Sequence, residues 1–174
     1  MKTIIINLFG GPGTGKSTLM AQLYAKLKIL GYETEMAPEF AKEKVWEESY
    51  KTLEDQIYVF AKQLHKINRL MGKVDIIICD SPLPLSLIYD KTKNEKFASL
   101  VMDQFNSFTN LNFFITRSTS YITKGRLQTE EESKQIDEEI LKVLETWQIP
   151  YETVGKDESL YIIMSEILKN YENL

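Results

Sequence analysis

The chain has 174 residues, 43% of them hydrophobic and 26% charged, with a formal net charge of −4. These proportions fit one soluble globular domain with a sizeable core, and they exclude a coat of positive charge for bulk nucleic-acid binding, though not a local basic groove. The single cysteine, Cys79, excludes an intramolecular disulfide and a cysteine-based zinc cluster, and the single histidine, His65, argues against a His-cluster metal site and a Ser-His-Asp triad.

Residues 3–9 read as a buried parallel strand. Gly10-Gly11-Pro12-Gly13-Thr14-Gly15-Lys16-Ser17 follows, and Leu19, Leu23, Leu27 and Leu30 then recur at helical spacing over about residues 16–30. Gly31 supplies a left-handed helix end. Residues 33–37 predict a short second strand, and Pro38-Glu39-Phe40 opens a helix through Trp46. Residues 54–71 predict one long helix, with Ile57, Phe60, Ala61, Leu64, Ile67 and Leu70 in phase and Gly72 at its end. Residues 74–80 form a strand closing on Asp80, 95–108 a helix, 111–116 a strand and 118–128 a polar loop. Thr129 with Glu132 three positions later makes a capping box for a helix running to about Trp147. Pro150 introduces a strand over 151–154, and an amphipathic helix spans about 158–171. Strands alternating with helices predict an α/β fold, a parallel sheet covered on both faces. No internal repeat or interdomain linker interrupts the pattern, so residues 1–174 read as one domain. No apolar run is long enough to span a membrane, and Met1-Lys2 leads straight into the first strand without a signal-peptide pattern. A cytoplasmic location is therefore expected.

The glycine-rich segment fits G-x-x-x-x-G-K-[ST], placed between a strand and a helix as the mechanism of a phosphate-binding loop requires. Backbone amides of Gly11, Gly13, Thr14, Gly15, Lys16, Ser17 and Thr18 can fold around a polyphosphate, and the helix starting near Lys16 adds its positive dipole end. Lys16 can reach the β- and γ-phosphates, and the Ser17 hydroxyl can ligate Mg²⁺. ATP or GTP is the expected ligand.

Asp80 ends an apolar strand, at the sheet edge where open α/β proteins bind ligands. A metal-holding acid is favoured there over a simple helix cap. Glu39 follows the second strand and also reaches that edge; it suits an acceptor-aligning base better than a dipole-complementing helix glutamate. Arg117 and Arg126 flank the polar loop, where guanidinium groups can neutralise charge developing on a moving phosphoryl group. Lys124 and Gly125 suit a lid. Other groups read as structural: Cys79 as a core thiol, His65 as a surface or half-buried residue, Trp46 and Trp147 as packing residues. Tyr58, Lys62, Lys66 and Arg69 read as the wet side of an amphipathic helix rather than an acceptor face, and the acid runs 130–132 and 137–139 as solvated helix surface.

The succession of this loop, Pro38-Glu39-Phe40-Ala41-Lys42, Asp80-Ser81-Pro82, Arg117 and Gly125-Arg126-Leu127-Gln128-Thr129-Glu130-Glu131 resembles small phage-encoded P-loop kinases. These AAA-type proteins are grouped with the nicotinamide-riboside kinase domain of a bacterial NAD regulator. The likeness covers nearly the whole chain, and only the phosphate loop is specific by itself. The resemblance implies a three-layer nucleoside/nucleotide-kinase-like fold with strand order 2-3-1-4-5. It also implies a lid between strands four and five, at about residues 117–129. Some phage relatives phosphorylate 5-hydroxymethyluracil in DNA, whereas the bacterial relative acts on a free nucleoside. Many deoxynucleoside kinases carry an arginine directly after the strand-three acid, where this chain has Ser81.

Phosphotransfer from ATP to a hydroxyl, with Mg²⁺, is the leading expectation. The first acceptor is 5-hydroxymethyluracil in phage DNA, which would place the protein in a host cytoplasm; a free nucleoside or nucleotide follows closely. Catalytic roles fall to Lys16, Glu39, Asp80, Arg117 and Arg126, and metal ligation to Ser17 and Asp80. An ATPase or nucleotide-dependent switch and a non-catalytic nucleotide-binding module are the other classes, and an oligomer is compatible with all of them. A switch usually brings additional domains, and the intact Lys16-Ser17 pair speaks against the module.

Overall fold

The computed structural model describes residues 2–117, 130–155 and 157–172. The chain runs β1 (Ile4–Phe9), α1 (Lys16–Ile29), β2 (Thr34–Ala37), α2 (Phe40–Trp46), α3 (Tyr50–Glu54), α4 (Gln56–Asn68) and β3 (Ile76–Cys79). After a 3-10 turn at Leu83–Leu85 come α5 (Ser86–Tyr89), α6 (Glu95–Asn106), β4 (Thr109–Ile115), α7 (Glu130–Thr146), β5 (Glu152–Val154) and α8 (Ser159–Glu172). The strands form a five-stranded sheet in the order β2-β3-β1-β4-β5, every pair parallel. Alternation along β1 divides the core between the two faces of this sheet. Ile4, Ile6 and Leu8 join Leu19, Leu23 and Leu27 of α1 and Ile163 and Ile167 of α8. Ile5 and Phe9 turn the other way, toward Phe60 and Ile67 of α4, Val101 and Phe105 of α6, and Ile140 and Leu144 of α7. The result is the three-layer α/β architecture that the alternation of elements predicts.

The register aligns the strand ends. Asn7 pairs with Cys79 and Ala37 with Cys79, while Phe9 pairs with Phe114 and Ile115 with Val154. The chain segments leaving β1, β2, β3 and β4 therefore emerge together at one edge, and these segments carry the glycine loop, Glu39, Asp80 and Arg117.

Several boundaries differ from expectation for local reasons. The helix predicted over 54–71 begins only at Gln56, because Asp55 leaves helical geometry (φ −88°, ψ 85°) and its carboxylate accepts from the Tyr58 N–H. The preceding residues make the separate, unforeseen α3. The turn at Leu83–Leu85 and α5 are also unforeseen; Pro82 and Pro84 obscure any helical periodicity there. Residue 31 behaves as expected: Gly31 has φ +91°, its N–H reaches Lys28 O, and the Tyr32 N–H reaches Leu27 O. β1 is buried throughout but not wholly apolar, since the Asn7 amide donates to Asn110 Oδ1 and Asn112 Oδ1 at 2.9 Å each. The loop 118–128, Arg126 and the capping residue Thr129 lie outside the described residues.

Candidate active site

Gly15 takes a left-handed conformation (φ +95°) as the residue before α1, and Gly13 does the same (φ +92°). Their conformations turn the chain sharply enough for the amides at the start of α1 to face a common concavity. The Lys16 ammonium folds back over this loop, donating to Gly10 O at 2.6 Å and Gly11 O at 2.9 Å. Burial lowers its pKa from the ordinary lysine value, opposed by the negative charges of Glu39, Asp80 and Asp137.

Asp80 is 3% exposed and joins three pieces of the site. Its Oδ2 accepts from the Ser17 hydroxyl at 2.8 Å, and its Oδ1 accepts from the Glu39 N–H at 2.9 Å. Ser17 and Asp80 thus stand together as hard oxygen donors, the chemistry that suits Mg²⁺ shared with phosphate oxygens. Among the described residues no group of three or more His, Cys, Asp and Glu side chains is arranged to hold a metal by itself.

Glu39 sits at the corner between β2 and α2. Gln63 fixes that corner from beneath: its amide oxygen accepts from the Phe40 N–H at 3.0 Å and its amide nitrogen donates to Ala37 O at 3.3 Å. Burial pushes the Glu39 carboxyl above its ordinary pKa; Lys16 pulls it down and Asp80 adds to the rise. A carboxylate so poised beside a phosphate loop has the chemistry of a proton acceptor.

These groups open into a cleft of about 600 Å³. The phosphate loop, Glu39 and Asp80 line it together with Trp46, Tyr50, Leu53, Leu85 and Tyr89. Trp46 is 69% exposed, so the expectation that it packs is corrected. It lies in the last turn of α2, before the short α3, and lines the cleft. Trp147 is 39% exposed and does not line the cleft. Cys79 is a fully buried core thiol, its pKa raised by burial to about 12, and His65 is exposed. Tyr58, Lys62, Lys66 and Arg69 stay outside the cleft lining. Lys66 instead pairs with Glu43 and donates to Pro38 O at 3.1 Å, and Tyr58 packs edge-on against Phe40.

Arg117 takes up a different set of partners from a phosphate. Its Nη1 donates to Pro12 O at 2.7 Å, its Nη2 to Ser133 O at 3.0 Å, and its Nε and Nη2 to Asp137 Oδ2 at 3.0 and 2.6 Å. Asp137 Oδ1 accepts from the Gly11 N–H at 2.5 Å. The expectation of solvated surface over 137–139 therefore holds for the exposed Glu138 and Glu139 but is corrected for Asp137, which faces the phosphate loop. A signal was present: Ser133, Asp137, Ile140 and Leu144 follow one another on a single helix face, and the other three are buried.

A family model described as an AAA domain matches residues 5–159. The chain belongs to the AAA domain family. The glycine loop, Glu39, Asp80, Arg117 and Asp137 of this AAA domain all fall within the matched span. No curated protein matches it in sequence. Among solved structures it resembles the NadR protein in complex with NR, with TM-score 0.72 and 17% identity over 99% of this chain. The AAA domain corresponds to 52% of that NadR chain, about half its length. It is similar to thymidylate kinase from Ehrlichia chaffeensis, with TM-score 0.65 and 12% identity over 97% of this chain and 100% of the other. It also resembles deoxyadenosine kinase from M. mycoides with bound dATP, with TM-score 0.55 and 20% identity over 94% and 98% of the two chains. At these identities the likeness establishes the shared α/β fold and its strand order. No helix among the described residues is long and apolar enough to cross a membrane.

Proposed function

We propose that the chain is an ATP- and Mg²⁺-dependent kinase that transfers the γ-phosphoryl group to a hydroxyl of a small nucleoside. The observation that carries this reading is Glu39, a half-buried carboxylate of raised pKa that lines one cleft with the phosphate loop and with Trp46, Tyr50 and Tyr89. A hydrolytic switch has no need of such a cleft, whereas an acceptor kinase must seat a second substrate in line with the γ-phosphate.

The loop amides and Lys16 hold the triphosphate, with the ammonium released from Gly10 O and Gly11 O onto phosphate oxygens. Ser17 and Asp80 are the residues that would hold Mg²⁺, which when bound would neutralise charge on the phosphate oxygens. Glu39 orients the acceptor hydroxyl and takes its proton as the acceptor oxygen bonds to the γ-phosphorus. The bond from that phosphorus to the β–γ bridging oxygen breaks, and the nucleoside diphosphate leaves. Arg126, expected from the sequence to stabilise the transferring group, retains that role in the proposal.

The cleft also bears on the acceptor. A base can stack among Trp46, Tyr50 and Tyr89, which gives affinity for a planar ring without demanding one hydrogen-bonding pattern. Beyond the phosphate loop its described charged lining is Glu39, Glu54 and Asp80 against Lys42 and Lys91, with no arginine. The net charge of −4 supports a free nucleoside over the DNA-borne 5-hydroxymethyluracil that the resemblance suggests first.

The test is labelled ATP with an acceptor panel: nucleosides, nicotinamide riboside, nucleoside monophosphates, and DNA with and without 5-hydroxymethyluracil. Label is expected in a nucleoside. Label in hydroxymethyluracil DNA alone would move the assignment to DNA modification. ATP hydrolysis with no labelled acceptor would overturn the kinase reading.

A further inference from the structure

The phosphate loop is held from outside as well as from within. Gly11 is the contact point: a Cβ there would come within 2.7 Å of Ser133 O and 2.8 Å of Asp137 Oδ1, so α7 lies directly against the loop. Asp137 spans the junction, one carboxylate oxygen on the Gly11 N–H and the other on the Arg117 guanidinium. The ion pair is largely withdrawn from water, its side chains being 11% and 18% exposed. Arg117 reaches past it to Pro12 O, so the two side chains grip consecutive residues of the loop. Arg117 immediately precedes the segment 118–129 and α7 immediately follows it, so the pair ties both flanks of that segment to the phosphate loop.

This placement has an electrostatic consequence. A carboxylate beside a polyphosphate site repels its ligand unless a cation neutralises it. The charge of Asp137 already acts on the Lys16 ammonium, the group meant for the phosphates. Arg117 cancels that charge at the contact and holds the loop through Pro12.

We propose that Asp137 and Arg117 form a positioning pair, in which Arg117 neutralises Asp137 and together they fix the Gly11–Pro12 turn for a triphosphate. Arg117 then acts through the loop and not by touching the transferring phosphoryl group. This inference rests on the triphosphate-binding reading above, and the experiment separates the two.

Affinity for MgATP is measured by calorimetry on the wild-type chain, Arg117→Met, Asp137→Asn and the double variant, with thermal melting of each in the absence of nucleotide. Arg117→Met leaves the Asp137 charge uncompensated beside the site, and its MgATP affinity is expected to fall roughly tenfold or more. Adding Asp137→Asn removes that charge, and the double variant is expected to recover most of the loss, a coupling that independent sites would not give. Should Arg117→Met fail to fold, Arg117→Lys serves in its place. It keeps the cation and is expected to retain most of the ATP affinity while losing stability, because one ammonium cannot bridge Asp137, Pro12 and Ser133 together. If the double variant binds no better than Arg117→Met, or if Arg117→Lys lowers kcat at unchanged ATP affinity, the positioning role is wrong and a direct phosphoryl contact is favoured. If the folded wild-type chain binds no triphosphate, the underlying reading fails instead.

Discussion

Glu39 shows how burial and charge retune an ordinary side chain. Its pKa lies above the carboxylate value of 4.5 because the ionised form is poorly solvated where β2 meets α2. Between the unfolded and folded values the folded chain therefore keeps a proton that the unfolded chain has released. The sign follows: this group favours folding at acid pH, and its contribution is lost as pH rises through the folded value. Glu39→Gln mimics the neutral form. At pH 8 its melting temperature is expected to equal or exceed that of the wild type, while turnover falls roughly 10²-fold or more. The wild-type kcat/KM should rise with pH along an acid limb above the usual carboxylate range, and the variant should lack that limb. Turnover within about twofold of wild type would remove Glu39 from its proposed role.

At the scale of elements, the β2–α2 corner depends on α4. Gln63 is 4% exposed and supplies hydrogen bonds to Phe40 and Ala37 that no apolar side chain can replace. Gln63→Leu is expected to cost about 1–3 kcal/mol of stability, the penalty for leaving the Phe40 N–H buried and unpaired. It should also lower kcat more than it raises the KM for ATP, since the displaced corner carries Glu39 and not the phosphate loop. Denaturant unfolding with steady-state kinetics checks both, and a KM effect without a kcat effect would contradict the assignment. The same corner marks the limit of what the sequence reveals. The glycine loop, Glu39 and Asp80 are legible because each stands at the end of a segment that reads as a strand, β1 and β3 being near-continuous apolar runs. Asp137 is not legible from its acid run, because its partners Gly11 and Arg117 lie 126 and 20 residues away and only the packing of α7 brings them together. Trp46 escapes for the opposite reason: large aromatics usually pack, and only the short α2–α3 connection leaves this one lining a cleft.

The whole molecule is an arrangement for bringing strand ends to one edge. Parallel pairing sets Ala37 beside Cys79 and Asn7 beside Cys79, and that register places the phosphate loop, Asp80 and Glu39 around one cavity. Helices α1 and α8 cover one face of the sheet, and α4, α6 and α7 the other. That edge is the place proposed for the ligands. The measurement that bears most directly on this account is titration calorimetry of the folded chain with ATP and GTP, with and without Mg²⁺, beside Lys16→Ala. The account predicts Mg²⁺-dependent uptake of a purine triphosphate, abolished or weakened roughly 10²-fold in Lys16→Ala. Well-folded wild-type protein that takes up neither triphosphate in the presence of Mg²⁺ would contradict it.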